Sequence, residues 1–160
     1  RLAVANLPIV ATNGGDVTAR GNTWAVGAMP ATAFQKGLGG MHALSHPIGA
    51  LYDKHHGMTN AVMMPYVLVE NRSFIEDRIV RLAAYLGLEP TFDAFLNVIL
   101  DLRSSLGVPA TLAEFGIGND KRDLIASMAV DDPTAGGNPQ KLDKALALKI
   151  FDRAMAGDLS

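Results

Sequence analysis

Apolar residues recur along this chain at spacings of three and four, and no segment alternates long enough to read as a strand. In "FIEDRIVRLAAYLG", Ile75, Ile79, Leu82, Ala83 and Leu86 share one helical face, and Gly87 follows where a left-handed residue ends a helix. Ser73 and Glu76 have the spacing of a capping box, which predicts the start of that helix. Thr91 predicts the N-cap of "FDAFLNVILDLRSSLG", where Phe92, Phe95, Leu96, Ile99 and Leu106 form the stripe and Gly107 and Pro109 end it. Asn13-Gly14-Gly15 marks a turn, and Asp16 predicts the cap of a helix reaching Phe34. A shorter helix is expected over about Asp120 to Ala129. A loop follows, from Asp132-Pro133 to Asn138-Pro139. The last helix runs from near Asp143 to Met155, buries Leu146, Ile150 and Met155, and ends at Gly157. The pattern predicts an all-α fold of about seven helices in a single domain, residues 1–160.

Composition narrows the class. The 160 residues are 49% hydrophobic and 19% charged, enough apolar side chains for a real core. No run approaches the roughly 18 apolar residues of a membrane span. "RLAVANLPIVATNGGD" carries one positive charge and no cleavage pattern, so a signal peptide is not expected. The chain opens on Arg1, which reads as a processed or truncated start. A net charge of -2 with interspersed signs leaves no basic stripe for nucleic acid. Cysteine is absent, which excludes disulfides and zinc–thiolate sites and fits a reducing, cytoplasmic setting.

The candidate chemistry is histidine. All four lie between His42 and His56. His42 and His46 are four apart, so on a helix they stack on one face. His56 lies 14 residues beyond His42, roughly 21 Å along a straight helix, too far to share a metal. It joins the pair only if the chain turns back, and the polar stretch Tyr52-Asp53-Lys54-His55-His56-Gly57 provides a corner. The expected arrangement is helix, tight corner, helix. His55 is expected to be exposed, Lys36 solvated, and Met58, Met63 and Met64 part of the core. There is no HExxH helix, no GxSxG elbow and no GxGxxG loop.

The order Gly39-Gly40-Met41-His42, His46-Pro47-Ile48-Gly49, His56-Gly57, Asn60-Ala61-Val62 and Pro65 resembles the signature of the iron-containing alcohol dehydrogenases. "SLGVPATLAEFGI" and "DDPTAGGNPQKL" resemble later segments of that family, so the resemblance covers the whole chain. It implies the all-helical, metal-binding C-terminal half of an enzyme whose N-terminal α/β domain binds NAD or NADP. No match to that domain's Gly-Gly-Gly-Ser motif occurs here, so the nucleotide-binding domain is expected to be absent from this chain. The family's metal, Fe(2+) with Zn(2+) as the alternative, implies His42 and His56 as ligands. The family's first Asp/His ligand pair has no counterpart, because no histidine precedes His42. His46 takes the place of the family's catalytic pocket histidine, beside nicotinamide and substrate. Tyr66 departs from a histidine common after the proline, and Gln35-Lys36 replaces a frequent Asn. The implied reaction interconverts a small alcohol with its aldehyde or ketone, in a homo-oligomer, away from nucleic acid and membrane. The alternatives are a zinc polyol dehydrogenase of the glycerol type and a non-catalytic helical domain that binds a metal or a partner.

Overall fold

A computed structural model describes residues 1–160. It contains nine α-helices and one 3-10 turn, with no strand. In chain order they are α1 Leu2–Thr12, α2 Val17–Ala28, α3 Pro30–Phe34, α4 Gly40–Tyr52, α5 His56–Glu70, α6 Arg72–Leu86, α7 Phe92–Ser105, α8 Arg122–Asp131, the 3-10 turn Ala135–Gly137, and α9 Lys144–Ala156. No helix is long and apolar enough to cross a membrane.

The caps read from sequence place most helix starts. The side chains of Asp16, Thr91 and Asp143 accept hydrogen bonds from the amides of Ala19, Ala94 and Leu146. Gly87 and Gly157 end α6 and α9 in the left-handed conformation, at φ 83° and 77°. Two expectations are corrected, and one helix is added at the N-terminus. The helix from Asp16 to Phe34 breaks before Pro30, which lacks the N–H to continue α2 and instead opens α3. The apolar N-terminus folds as α1 despite Pro8. Ser73 and Glu76 make no capping box. α6 follows α5 with only Asn71 between them, Ser73 lies inside the first turn, and Glu76 accepts from Arg72 at 2.8 Å.

The main core lies among α4, α5, α8 and α9. It includes Leu44, Ile48, Val62, Met63, Tyr66, Ile125, Ile150 and Phe151. Each such large side chain contributes about 1.5–3 kcal/mol by leaving water. Met58 and Met64 are only half-buried, while Met63 is fully enclosed. On α9, Ile150 is buried as expected, but the buried face centres on Ala147, Phe151 and Ala154, leaving Leu146 and Met155 half-exposed. Tyr66 is buried and donates to the Ala110 carbonyl at 2.6 Å. It is therefore a core residue. A smaller cluster of Ile79, Phe92 and Leu96 joins α6 to α7. Helix α2 packs only on α1 and α3, and Trp24 is 83% exposed.

One close approach ties the loop before α9 to the start of α4. Asn138 accepts from the Gly40 amide at 3.1 Å and exchanges amide hydrogen bonds with buried Asn71 at 3.0 and 3.1 Å. The glycines make room for it. A Cβ on Gly40 would lie 3.0 Å from Asn138 Oδ1, and one on Gly137 would lie 1.7 Å from the Leu38 carbonyl oxygen. No neighbouring side chain can yield at Gly137, because the obstacle is backbone. Gly137→Ala is expected to destabilise the fold by about 3 kcal/mol, read as a shift in the urea midpoint; a variant as stable as wild type would contradict this packing.

Candidate functional site

Helix α4 carries His42 in its first turn and His46 one turn later. Pro47, buried behind them, removes one backbone hydrogen bond from the helix. The Ser45 hydroxyl donates to the His42 carbonyl at 3.2 Å. The corner forms where the sequence places it. Asp53 ends α4 in the left-handed conformation at φ 50°, and α5 begins at His56. His55 is the N-cap of α5, where its Nδ1 accepts from the Met58 amide at 3.3 Å. It is exposed, as expected, and stands outside the histidine cluster.

The turn brings three rings together. The His42 and His56 centroids are 5.2 Å apart, His42 and His46 5.9 Å, and His46 stacks on His56 at 5.2 Å with 20° between planes. Phe34 meets His42 edge-on at 6.2 Å. Asn60, one turn beyond His56, reaches both outer rings. Its Nδ2 lies 3.0 Å from His56 Nε2 and 3.3 Å from His42 Nε2. Its Oδ1 is buried without a hydrogen-bond partner.

His46 is held differently. Its Nδ1 donates to Asp132 Oδ2 at 2.8 Å. The other carboxylate oxygen of Asp132 accepts from the Thr134 amide at 2.8 Å and from its hydroxyl at 2.6 Å. Desolvation pushes the Asp132 carboxyl up, but the bonds from Thr134 and His46 outweigh it and hold the group below the usual carboxylate value. Partial burial lowers the basicity of His42, and the neighbouring His56 and His46 lower it further. Both effects shift His42 toward its neutral form. No three His, Asp or Glu side chains are arranged to hold a metal among themselves. His46 touches the other two rings but differs from them in its hydrogen-bond partner, Asp132 in place of Asn60.

Beside His42 opens a largely apolar groove of about 440 Å³, lined in part by Phe34, Leu38, Met41, Met64 and Leu68. Lys36 and Gln35 are exposed. Asn60, Asp132 and Thr134 were not singled out in the sequence as functional. The signal for Asn60 is its position one turn after His56. Asp132 is 86 residues from His46, and nothing local connects them.

A family profile described as Fe-containing alcohol dehydrogenase family, C-terminal, matches residues 1–155. The chain is 32% identical over 148 residues to an NADPH-dependent butanol dehydrogenase of Clostridium saccharobutylicum, covering 86% of this chain and 38% of that protein. It is 34% identical over 152 residues to a 4-hydroxybutyrate dehydrogenase of Cupriavidus necator, covering 89% and 40%. Among solved structures, a 1,3-propanediol oxidoreductase superposes with a TM-score of 0.89 at 29% identity, over 96% of this chain and 42% of that one. The chain belongs to the iron-containing alcohol dehydrogenase family and corresponds to its C-terminal domain. It spans about two fifths of the length of these relatives.

The Asp132 contact has a pH signature. Its folded-state pKa is depressed, so its stabilisation is present above the unfolded value of 3.8 and is lost as pH falls through the lower folded value. Asp132→Asn is expected to cost about 1 kcal/mol near neutral pH. Urea titrations of both proteins should show that gap closing below 3.8. A gap independent of pH would mean that the charge of Asp132 does not hold this loop.

Proposed function

We propose that this chain is the metal-holding half of an NAD(P)-dependent, iron-type alcohol dehydrogenase, which interconverts a small alcohol with its aldehyde or ketone. The observation that carries the reading is the convergence of His42 Nε2 and His56 Nε2 on one atom, Asn60 Nδ2. Two imidazole nitrogens facing a common point are a donor set that suits Fe(II) or Zn(II). His42 and His56 are the side chains that would hold the ion. When bound, it supplies Lewis acidity toward an alcohol or carbonyl oxygen. The reading assigns the remaining ligands, and the NAD or NADP pocket, to the rest of a longer protein. The names of the relatives support it: they include NADPH-dependent and NAD-dependent dehydrogenases.

His46 is the proposed proton carrier. Because Nδ1–H is donated to Asp132, Nε2 is left as the bare acceptor. A proton leaving the alcohol hydroxyl is taken up at Nε2, and the negative charge of Asp132 stabilises the imidazolium so formed. In the reverse direction the same nitrogen returns the proton. Stacking on His56 keeps the His46 ring beside the ligand pair without placing it between them. The groove beside His42 receives the carbon chain against its Leu and Met walls.

Variants made in the protein that also carries its nucleotide-binding domain separate these roles. His42→Ala or His56→Ala is expected to remove metal and activity together. His46→Ala is expected to keep most of the metal and lose about 10²–10⁴-fold in kcat. His55→Ala should change little. Metal content per mole decides: loss of metal from His46→Ala with retention by His56→Ala would overturn the ligand assignment. The 160 residues alone, supplied with Fe(II), NADH and an aldehyde panel, should consume no NADH above a blank. Clear turnover by this chain would refute the division of labour.

A further inference from the structure

We propose that Asn60 is a placeholder for the metal: in the metal-free protein its amide fixes His42 and His56 in the tautomer that a metal needs, and it withdraws when the ion arrives. This rests on the reading of His42 and His56 as the ligands. An amide nitrogen has two hydrogens and no lone pair to offer, so both imidazoles must accept. The Nδ2 of Asn60 lies within hydrogen-bond distance of both Nε2 atoms, at 3.0 and 3.3 Å, one hydrogen for each ring. A neutral imidazole that accepts at Nε2 carries its proton on Nδ1. Both rings are therefore held as Nδ1–H tautomers, with their Nε2 lone pairs directed at one place. A divalent ion bound through Nε2 requires that same state of each ring.

The other end of the amide shows why Asn60 is there. Its Oδ1 is buried and has no donor. No protein group orients the amide through its oxygen, so the two rings are the only partners of this side chain. Turning it away from the rings breaks those two bonds and no others. The group can leave when a stronger partner for both nitrogens enters. The position follows from the helix: Asn60 is one turn after His56 on α5, so it comes to lie over that ring, and the α4–α5 corner brings His42 within its reach.

Nitrogen-15 NMR of the two imidazoles in metal-free protein reads the tautomers directly, and a Zn(II) titration followed by the same spectra reads the affinity. Wild type should show Nδ1–H at both His42 and His56. Asn60→Leu, which keeps the volume and removes the donor, should populate the Nε2–H form and tighten Zn(II) binding about tenfold, because the two bonds made only in the metal-free state no longer have to be broken. Asn60→Ala should do the same without the bulk of leucine. An Nε2–H tautomer at either ring in wild type would overturn the proposal without any variant. So would tautomers and affinity unchanged in both variants while His56→Ala loses zinc. If His56→Ala binds zinc as wild type does, the ligand reading itself fails and the placeholder falls with it.

Discussion

The contact on which the rest of the site depends is the one between two stretches of backbone at the start of α4. Leu38 and the 3-10 turn Ala135–Gly137 approach so closely that a methyl group at Gly137 would overlap the Leu38 carbonyl. Asn138 seals the approach by accepting from the Gly40 amide and pairing with Asn71 at the α5–α6 junction. Two residues beyond Gly40 stands His42. Three residues before the 3-10 turn stands Asp132, the partner of His46. A single packing event therefore fixes the first ring of α4 and delivers the carboxylate that orients the second.

The remaining ring comes from chain direction. A straight helix would carry His56 far from His42, but the left-handed Asp53 and the extended His55 fold the chain back, so that α5 starts beside α4 and not beyond it. The rings then differ by what each nitrogen faces. His42 and His56 present Nε2 toward Asn60, while His46 spends Nδ1 on Asp132 and keeps Nε2 free. Three chemically identical side chains thus fall into two hydrogen-bonding arrangements. Burial, and then the neighbouring imidazoles, push His42 toward its neutral form, which suits it to a lone-pair donor.

Much of the fold was legible because its helix ends are set locally. Asp16, Thr91 and Asp143 cap through their own neighbouring amides, and Gly87 and Gly157 turn left-handed where helices stop. The Ser73–Glu76 box failed because the α5–α6 junction is set by tertiary contacts. Asn71 is held by Asn138 from another part of the chain, and Glu76 pairs with Arg72. The break at Pro30 was written in the sequence, yet the surrounding Ala, Met and Val masked it. At the site, the spacing of His42, His46 and His56 carried the pattern. Asp132 could not be found that way, since a pairing across 86 residues leaves no periodic trace. Asn60 was visible as part of a motif, but its role needs the corner, which only the folded chain displays.

The central claim is that His42 and His56 share one metal through Nε2, with His46 beside it. The most direct measurement is anomalous diffraction at the metal edge from crystals of the chain loaded with Zn(II) or Co(II). The account predicts one peak bonded to His42 Nε2 and His56 Nε2, with His46 still on Asp132 and the Asn60 amide turned away from the rings. A peak held by His42 and His46, with His56 unbound, would contradict it.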